Sequence, residues 1–195
     1  MLQGFQYGLS VIDSLNYLAG PIFRKFGAQN LVYCKIFDNG KRLYLSTSED
    51  WIKLYCEHNF QDDAGHLVYY VPQDDKQQYS LWSGFAEDAI ISACHDLNHY
   101  HGFNIHQKRE EYYEYLSIST SREDYHLPNR CLNNLEELTG YVDVFRRNSG
   151  FILGHQDSRR LICSKTWKPF KDIKDSSFFD KEKNLYNVSE KFICF

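Results

Sequence analysis

Leu9, Ile12, Leu15, Leu18 and Ile22 return at helical spacing, with Asp13 and Asn16 on the other side. This pattern predicts a helix from residue 7 to about 19, packed on the body and crowded at its end by Pro21 and Gly27. The apolar periodicity then shortens from about four residues to two. LVYCKIF and KRLYLST alternate on either side of Asp38-Asn39-Gly40; with Asn-Gly at the turn they form a β-hairpin. Helical spacing resumes after Thr47-Ser48-Glu49-Asp50. Ser48 is the expected N-cap, and Trp51, Leu54, Tyr55 and His58 share one face. A short apolar run, LVYYV, is broken by Pro72, and the polar loop QDDKQQ separates it from YSLWSG. Residues 86–100 form a second amphipathic helix with Ala89, Ile90, Ala93, Cys94 and Leu97 inward, ended by Gly102. FNIHQKREEYYEYLSISTS predicts two strands joined by the charged turn QKREE. Pro128-Asn129 then precedes a third helix from about Arg130 to Arg147, with Leu132, Leu135, Leu138, Val142 and Phe145 inward. Residues 150–163 carry no clear pattern, and the last 30 or so are rich in lysine and aromatic residues without strong periodicity.

Helices flanking runs of antiparallel strands predict an α+β fold: an α-β-α sandwich whose central antiparallel sheet has about five strands. Residues 1–163 make the sandwich and 164–195 a tail. Such a sheet commonly holds a small molecule between one face and a covering helix. The composition sharpens this picture in one respect. Hydrophobic residues are 43% of the chain and charged residues 25%, as in ordinary globular proteins, but aromatic residues reach 16%, with 15 Tyr, 14 Phe and 3 Trp against one Met. The core is built largely from rings, many with a polar tip, which suits a cavity for a small amphipathic ligand. A net charge of −4 argues against wholesale nucleic-acid coating. The six cysteines are nowhere closer than 22 residues, so no C-x-x-C or zinc-ribbon spacing exists. No secretory leader opens the sequence and no apolar run is long enough to span a bilayer, so the expectation is a cytoplasmic protein with reduced thiols and no membrane contact.

The order of aromatics resembles the ligand-binding half of LuxR-type quorum-sensing regulators, a GAF/PAS-like sandwich. In that family a Trp and a Tyr lie four apart on the helix after the first hairpin, as Trp51 and Tyr55 do in S-E-D-W-I-K-L-Y. A second Trp follows a strand before small residues, as in Trp82-Ser83-Gly84. A glycine precedes the central strands, as Gly102 does, and a hydroxyl on the last strands lines the pocket, as Ser117 in Y-L-S-I-S would. The resemblance covers roughly residues 7–147. It implies a non-catalytic sensor of a small amphipathic ligand, acting as a homodimer or through a regulatory partner protein, with no cofactor and no bound metal. The Trp51 indole N–H would donate to a ring carbonyl, Tyr55 would wall an acyl chain, and Trp82 and Ser117 would close the other side.

Two features depart from the family. Its ligand-binding aspartate should lie nine residues past the Tyr, where Ala64 stands, with Asp62 and Asp63 slightly early as displaced acceptors. Thr47 occupies the place of a family tyrosine. A ligand amide left unpaired there costs on the order of 1–3 kcal/mol, which points to a different ligand. Moreover, the 32 residues after Cys163 show no pair of helices of the helix-turn-helix kind; Lys165, Lys168, Lys171 and Lys174 recur, but Pro169 interrupts them. No direct DNA reading by this chain alone is expected.

Two other constellations compete. His95 and His99, four apart around Asp96, have the spacing of a zinc pair in a metal-dependent hydrolase, with His101 and His106 close by. Asp96 is too short to replace the glutamate base of such enzymes, the apolar stripe leaves both histidines toward water, and capping a helix C-terminus explains them equally. Alternatively the sandwich is a protein-interaction module or effector with a filled core.

Overall fold

A computed structural model describes residues 3–62, 77–84 and 87–163. The LVYYV run, Asp63, Ala64, the 85–86 dipeptide and the tail from residue 164 lie outside them.

The first helical pattern folds as two helices, α1 (Gln3–Ser10) and α2 (Ile12–Phe26), rather than one that stops near residue 19. Pro21 removes one ladder bond but does not end α2, because Leu15, Ala19, Ile22 and Phe26 are buried on both sides of it. Gly27, at φ +71°, ends the helix instead. Strands β1 (Asn30–Phe37) and β2 (Lys41–Ser46) form the expected hairpin, in register Ile36 opposite Arg42. Its turn has three residues: only Gly40 takes a positive φ, and the Asn39 side chain accepts from Lys41 N–H. Helix α3 (Glu49–Glu57) starts at Ser48, whose hydroxyl accepts from the Trp51 N–H at 3.2 Å.

Strand β3 (Gln78–Leu81) ends at Trp82, in a single 3₁₀ turn through Gly84. Helix α4 (Ala89–Asp96) is capped by Asp88, which accepts from the N–H groups of Ile90 and Ile91. It is shorter than residues 86–100 suggest, because Asn98 turns the chain with a φ of +57°. Gly102 therefore lies inside strand β4 (Tyr100–Lys108), not at a helix end. Strand β5 (Tyr112–Thr120) pairs with β4 across the charged turn. The third helical pattern divides into α5 (Leu127–Leu132) and α6 (Leu135–Asn148), since the chain turns at Asn133-Asn134. The patternless stretch supplies α7 (Gly150–Leu153) and a two-residue strand, β6 (Ile162–Cys163).

Among the described residues the sheet has six strands, all antiparallel, in the order β3-β4-β5-β1-β2-β6; the extra one is the short edge strand. Helices cover both faces. Leu31, Tyr33, Leu43, Leu45, Phe103, Ile105, Leu116 and Ile118 point to one side, where α2, α5, α6 and α7 close a mainly aliphatic core. Cys34, Ile36, Tyr44, Tyr113 and Tyr115 point to the other, where α1, α3 and α4 bring Phe5, Trp51, Ile52, Tyr55, Ile90, Ala93 and Cys94. No helix among the described residues is long and apolar enough to cross a membrane.

Candidate cleft between the sheet and helices α3 and α4

The aromatic side of the sheet is not filled. A small, partly open cleft, with about 70 Å³ of interior room, lies between the sheet and α3 and α4. Trp51 and Tyr55 from α3, Trp82 from the end of β3 and Ser117 from β5 all line it. Residues far apart in sequence thus meet in one place, because the helical period puts Trp51 and Tyr55 on one face and strand alternation puts Ser117 on the face they cover.

The roles of these side chains differ from the expected ones. The Trp51 indole N–H donates to the Tyr44 hydroxyl at 2.6 Å, so it is not free for a ligand carbonyl. The Tyr44 and Tyr55 rings stack with centroids 4.2 Å apart, and the Tyr55 hydroxyl accepts from the buried Arg42 guanidinium at 3.4 Å. Trp82 donates to Asn104 Oδ1 at 3.1 Å. Its ring lies on Gly102: a Cβ there would stand 2.0 Å from the indole, so only glycine permits the contact. Ser117 is the exception. It is 5% exposed, and its Oγ has no hydrogen-bond partner among the described residues.

Thr47 does not line the cleft. Its hydroxyl accepts from Leu31 N–H at 2.8 Å and donates to the Leu31 carbonyl, which ties the end of the hairpin. Asp62 ends a 3₁₀ turn, Phe60–Asp62, and is not in the wall either. A count along the chain from Trp51 and Tyr55 does not carry to either residue, since Thr47 lies before α3 begins and Asp62 after it ends.

Of the cleft's polar residues other than its Tyr and Trp, sequence reasoning assigned only Ser117 to it and missed Asn30, His99, Asn104, His106 and Ser119. Asn104 and His106 alternate with Phe103 and Ile105 on a strand buried on both faces, and that alternation was the available signal. Asn104 Nδ2 donates to Ser80 Oγ at 3.1 Å, Ser80 Oγ lies 2.6 Å from His106 Nε2, and His106 Nδ1 bonds the Tyr113 hydroxyl. A serine on a histidine whose other nitrogen is held by a third group has the outline of a nucleophile and its base. Here the third group is a phenol rather than a carboxylate, and burial pulls His106 down to about 3. That burial disfavours the protonated imidazole that a general base must become.

His99 also lines the cleft. Contrary to the expectation that it faces water, it is 8% exposed and lies 6.4 Å from the Trp51 ring, because Asn98 turns it inward after α4 has ended. Burial lowers it to about 4 against a weaker opposing pull from Asp50. His95 stays on α4, stacked on Tyr100 at 4.1 Å with Glu87 nearby, so the two histidines do not share a helix face. Among the described residues no group of three His, Cys, Asp or Glu side chains is placed to hold a metal ion. No family model matches the chain, and no curated protein matches it.

Proposed function

We propose that this chain is a small-molecule-sensing regulatory domain, similar in plan to the ligand-binding half of LuxR-type regulators, with the cleft between the sheet and α3 and α4 as its binding site. One observation carries this reading: Trp51, Tyr55, Trp82 and Ser117 line a single cleft into which an unpartnered buried hydroxyl is turned. A ligand that completes this half-filled core stabilises the folded state by mass action, and with it whatever dimer or partner surface the fold presents. Signal passes by association with a second copy or a regulatory protein, without DNA contact by this chain itself. Because the Trp51 donor is engaged with Tyr44, the ligand is held by ring contacts and the strand hydroxyl rather than by the indole. The test is thermal denaturation of the full chain with acyl-homoserine lactones and with hydrophobic extracts. A rise in midpoint that is reduced in Trp51→Phe supports the reading. No shift from any compound, with a cleft that stays solvent-filled, overturns it.

A further inference from the structure

The cleft has a hydrogen-bonding floor and a ring-bearing wall; the buried Arg42 guanidinium touches the wall at the Tyr55 hydroxyl but is not part of the lining. On the floor, Ser117 stands directly opposite Asn104 of β4, and Ser119 directly opposite Asn30 of β1. Ser117 Oγ is buried without a partner among the described residues, able both to donate and to accept. The Asn104 amide beside it spends one N–H on Ser80 and accepts from Trp82, which leaves a second N–H and a second lone pair. Rings of Tyr44, Trp51, Tyr55, Trp82 and Tyr115 share the rest with aliphatic residues of β1 and α4, Cys94 and two imidazoles. Among the described residues no Asp, Glu, Lys or Arg lines the cleft. The Tyr44 and Tyr115 phenols stay protonated, since burial pushes both well up, and His99 and His106 stay neutral near pH 7.

These features exclude ligands at both extremes. An ion would shed its hydration in the cleft and find no counter-charge in the described lining, since the Arg42 guanidinium is held on the Tyr55 hydroxyl outside it, and no single hydrogen bond repays that loss. A bare hydrocarbon would fill the space but leave the Ser117 hydroxyl unsatisfied. Flat aromatic walls favour a ring over a flexible chain, because ring contacts immobilise few torsions.

We propose that the cleft takes a neutral, planar molecule with an amide-type edge, a donor beside an acceptor, seated on Ser117 and Asn104 with its ring against the aromatic wall. This rests on reading the cleft as a ligand site and narrows what it accepts. Benzamide, benzoate and toluene are near-isosteric probes of that choice, titrated against the full chain by ligand-observed NMR. Benzamide should bind, benzoate at least about tenfold more weakly for want of a counter-charge, and toluene several-fold more weakly for want of the hydrogen bonds. Ser117→Ala should weaken benzamide by about five- to tenfold while leaving toluene unchanged and the thermal midpoint no lower. Benzoate binding as well as benzamide, toluene binding as well as benzamide, or Ser117→Ala without effect on benzamide would each overturn the proposal. Acyl lactones or extracts shifting the melting curve while none of the three probes binds would sink the amide-edge proposal and leave the sensor reading standing. Silence from every compound would sink both.

Discussion

The two faces of the sheet are built from the same strands and solve opposite problems. On one, Leu15, Ala19, Ile22, Leu31, Leu43, Phe103, Leu116, Ile118, Leu138 and Val142 are wholly buried, and the packing is continuous. Its charged groups are gathered at one place: Glu114 accepts from the Tyr33 hydroxyl at 2.5 Å and from Arg146 Nε at 2.6 Å. On the other, rings with polar tips hold one another through directed bonds, Trp51 to Tyr44 and Trp82 to Asn104. Aliphatic side chains fill space without regard to direction, so they close up. Hydrogen-bonded rings are fixed by their partners and leave between them whatever space the geometry dictates. The difference teaches where rigidity and where room reside in this fold, and adjacent residues on β5 lie on the two sides of it: Leu116 faces the packed core and Ser117 the cleft.

The largest test of that contrast is on the packed side. Leu116→Ala removes a fully buried side chain and leaves a void, and should lower unfolding free energy by about 2–5 kcal/mol in urea denaturation. A loss below 1 kcal/mol would show that this face is not the rigid one. Acid comes next and falls on the cleft side. His99 is held near 4 and His106 near 3, both below the ordinary 6.5, so the unfolded chain takes protons that the folded one refuses. The stability is fully present above about pH 6.5 and is lost as pH falls to about 4 for His99 and about 3 for His106, by several kcal/mol in all. His99→Gln should flatten that slope in chemical denaturation between pH 7 and 4.5; an unchanged slope would mean that His99 does not stay neutral in the fold. Gly102→Ala drives a methyl into the Trp82 indole and should cost about 1–3 kcal/mol. The damage should be confined to the cleft, seen as shifted NMR resonances of Trp82 and Asn104 with those of Leu116 and Val142 in place. The smallest effect has the opposite sign. Ser117→Ala relieves a buried hydroxyl with no partner among the described residues and should stabilise the ligand-free chain by about 1 kcal/mol. A loss of similar size would instead reveal a partner for that hydroxyl within the fold.

Much of this fold was legible in the residues alone. Alternation across Asn39-Gly40 marked the hairpin, Ser48 before two acids marked the start of α3, and the strands around QKREE followed from alternation. Trp51, Tyr55, Trp82 and Ser117 were singled out together, and they line one cleft. What stayed hidden depends on geometry that no local pattern encodes. Asn98 adopting a left-handed conformation ends α4 early and turns His99 inward. The irregular pairing between Tyr100 and Phe103 places Gly102 under Trp82. Thr47 and Asp62 were chosen by counting along the chain, but a count fixes a neighbour only where the helix or strand continues, and both residues lie beyond the ends of theirs.

The position of the indoles has a practical consequence. The chain has three tryptophans, and the two among the described residues, Trp51 and Trp82, both border the cleft, while the aliphatic face has none. With Trp167→Phe, emission excited at the red edge where indole absorbs and phenol does not becomes a readout of the aromatic layer, blind to the tyrosines on the other side of the sheet. The molecule is thereby furnished with its own dye, and repacking of one half can be followed optically while the other serves as a dark control.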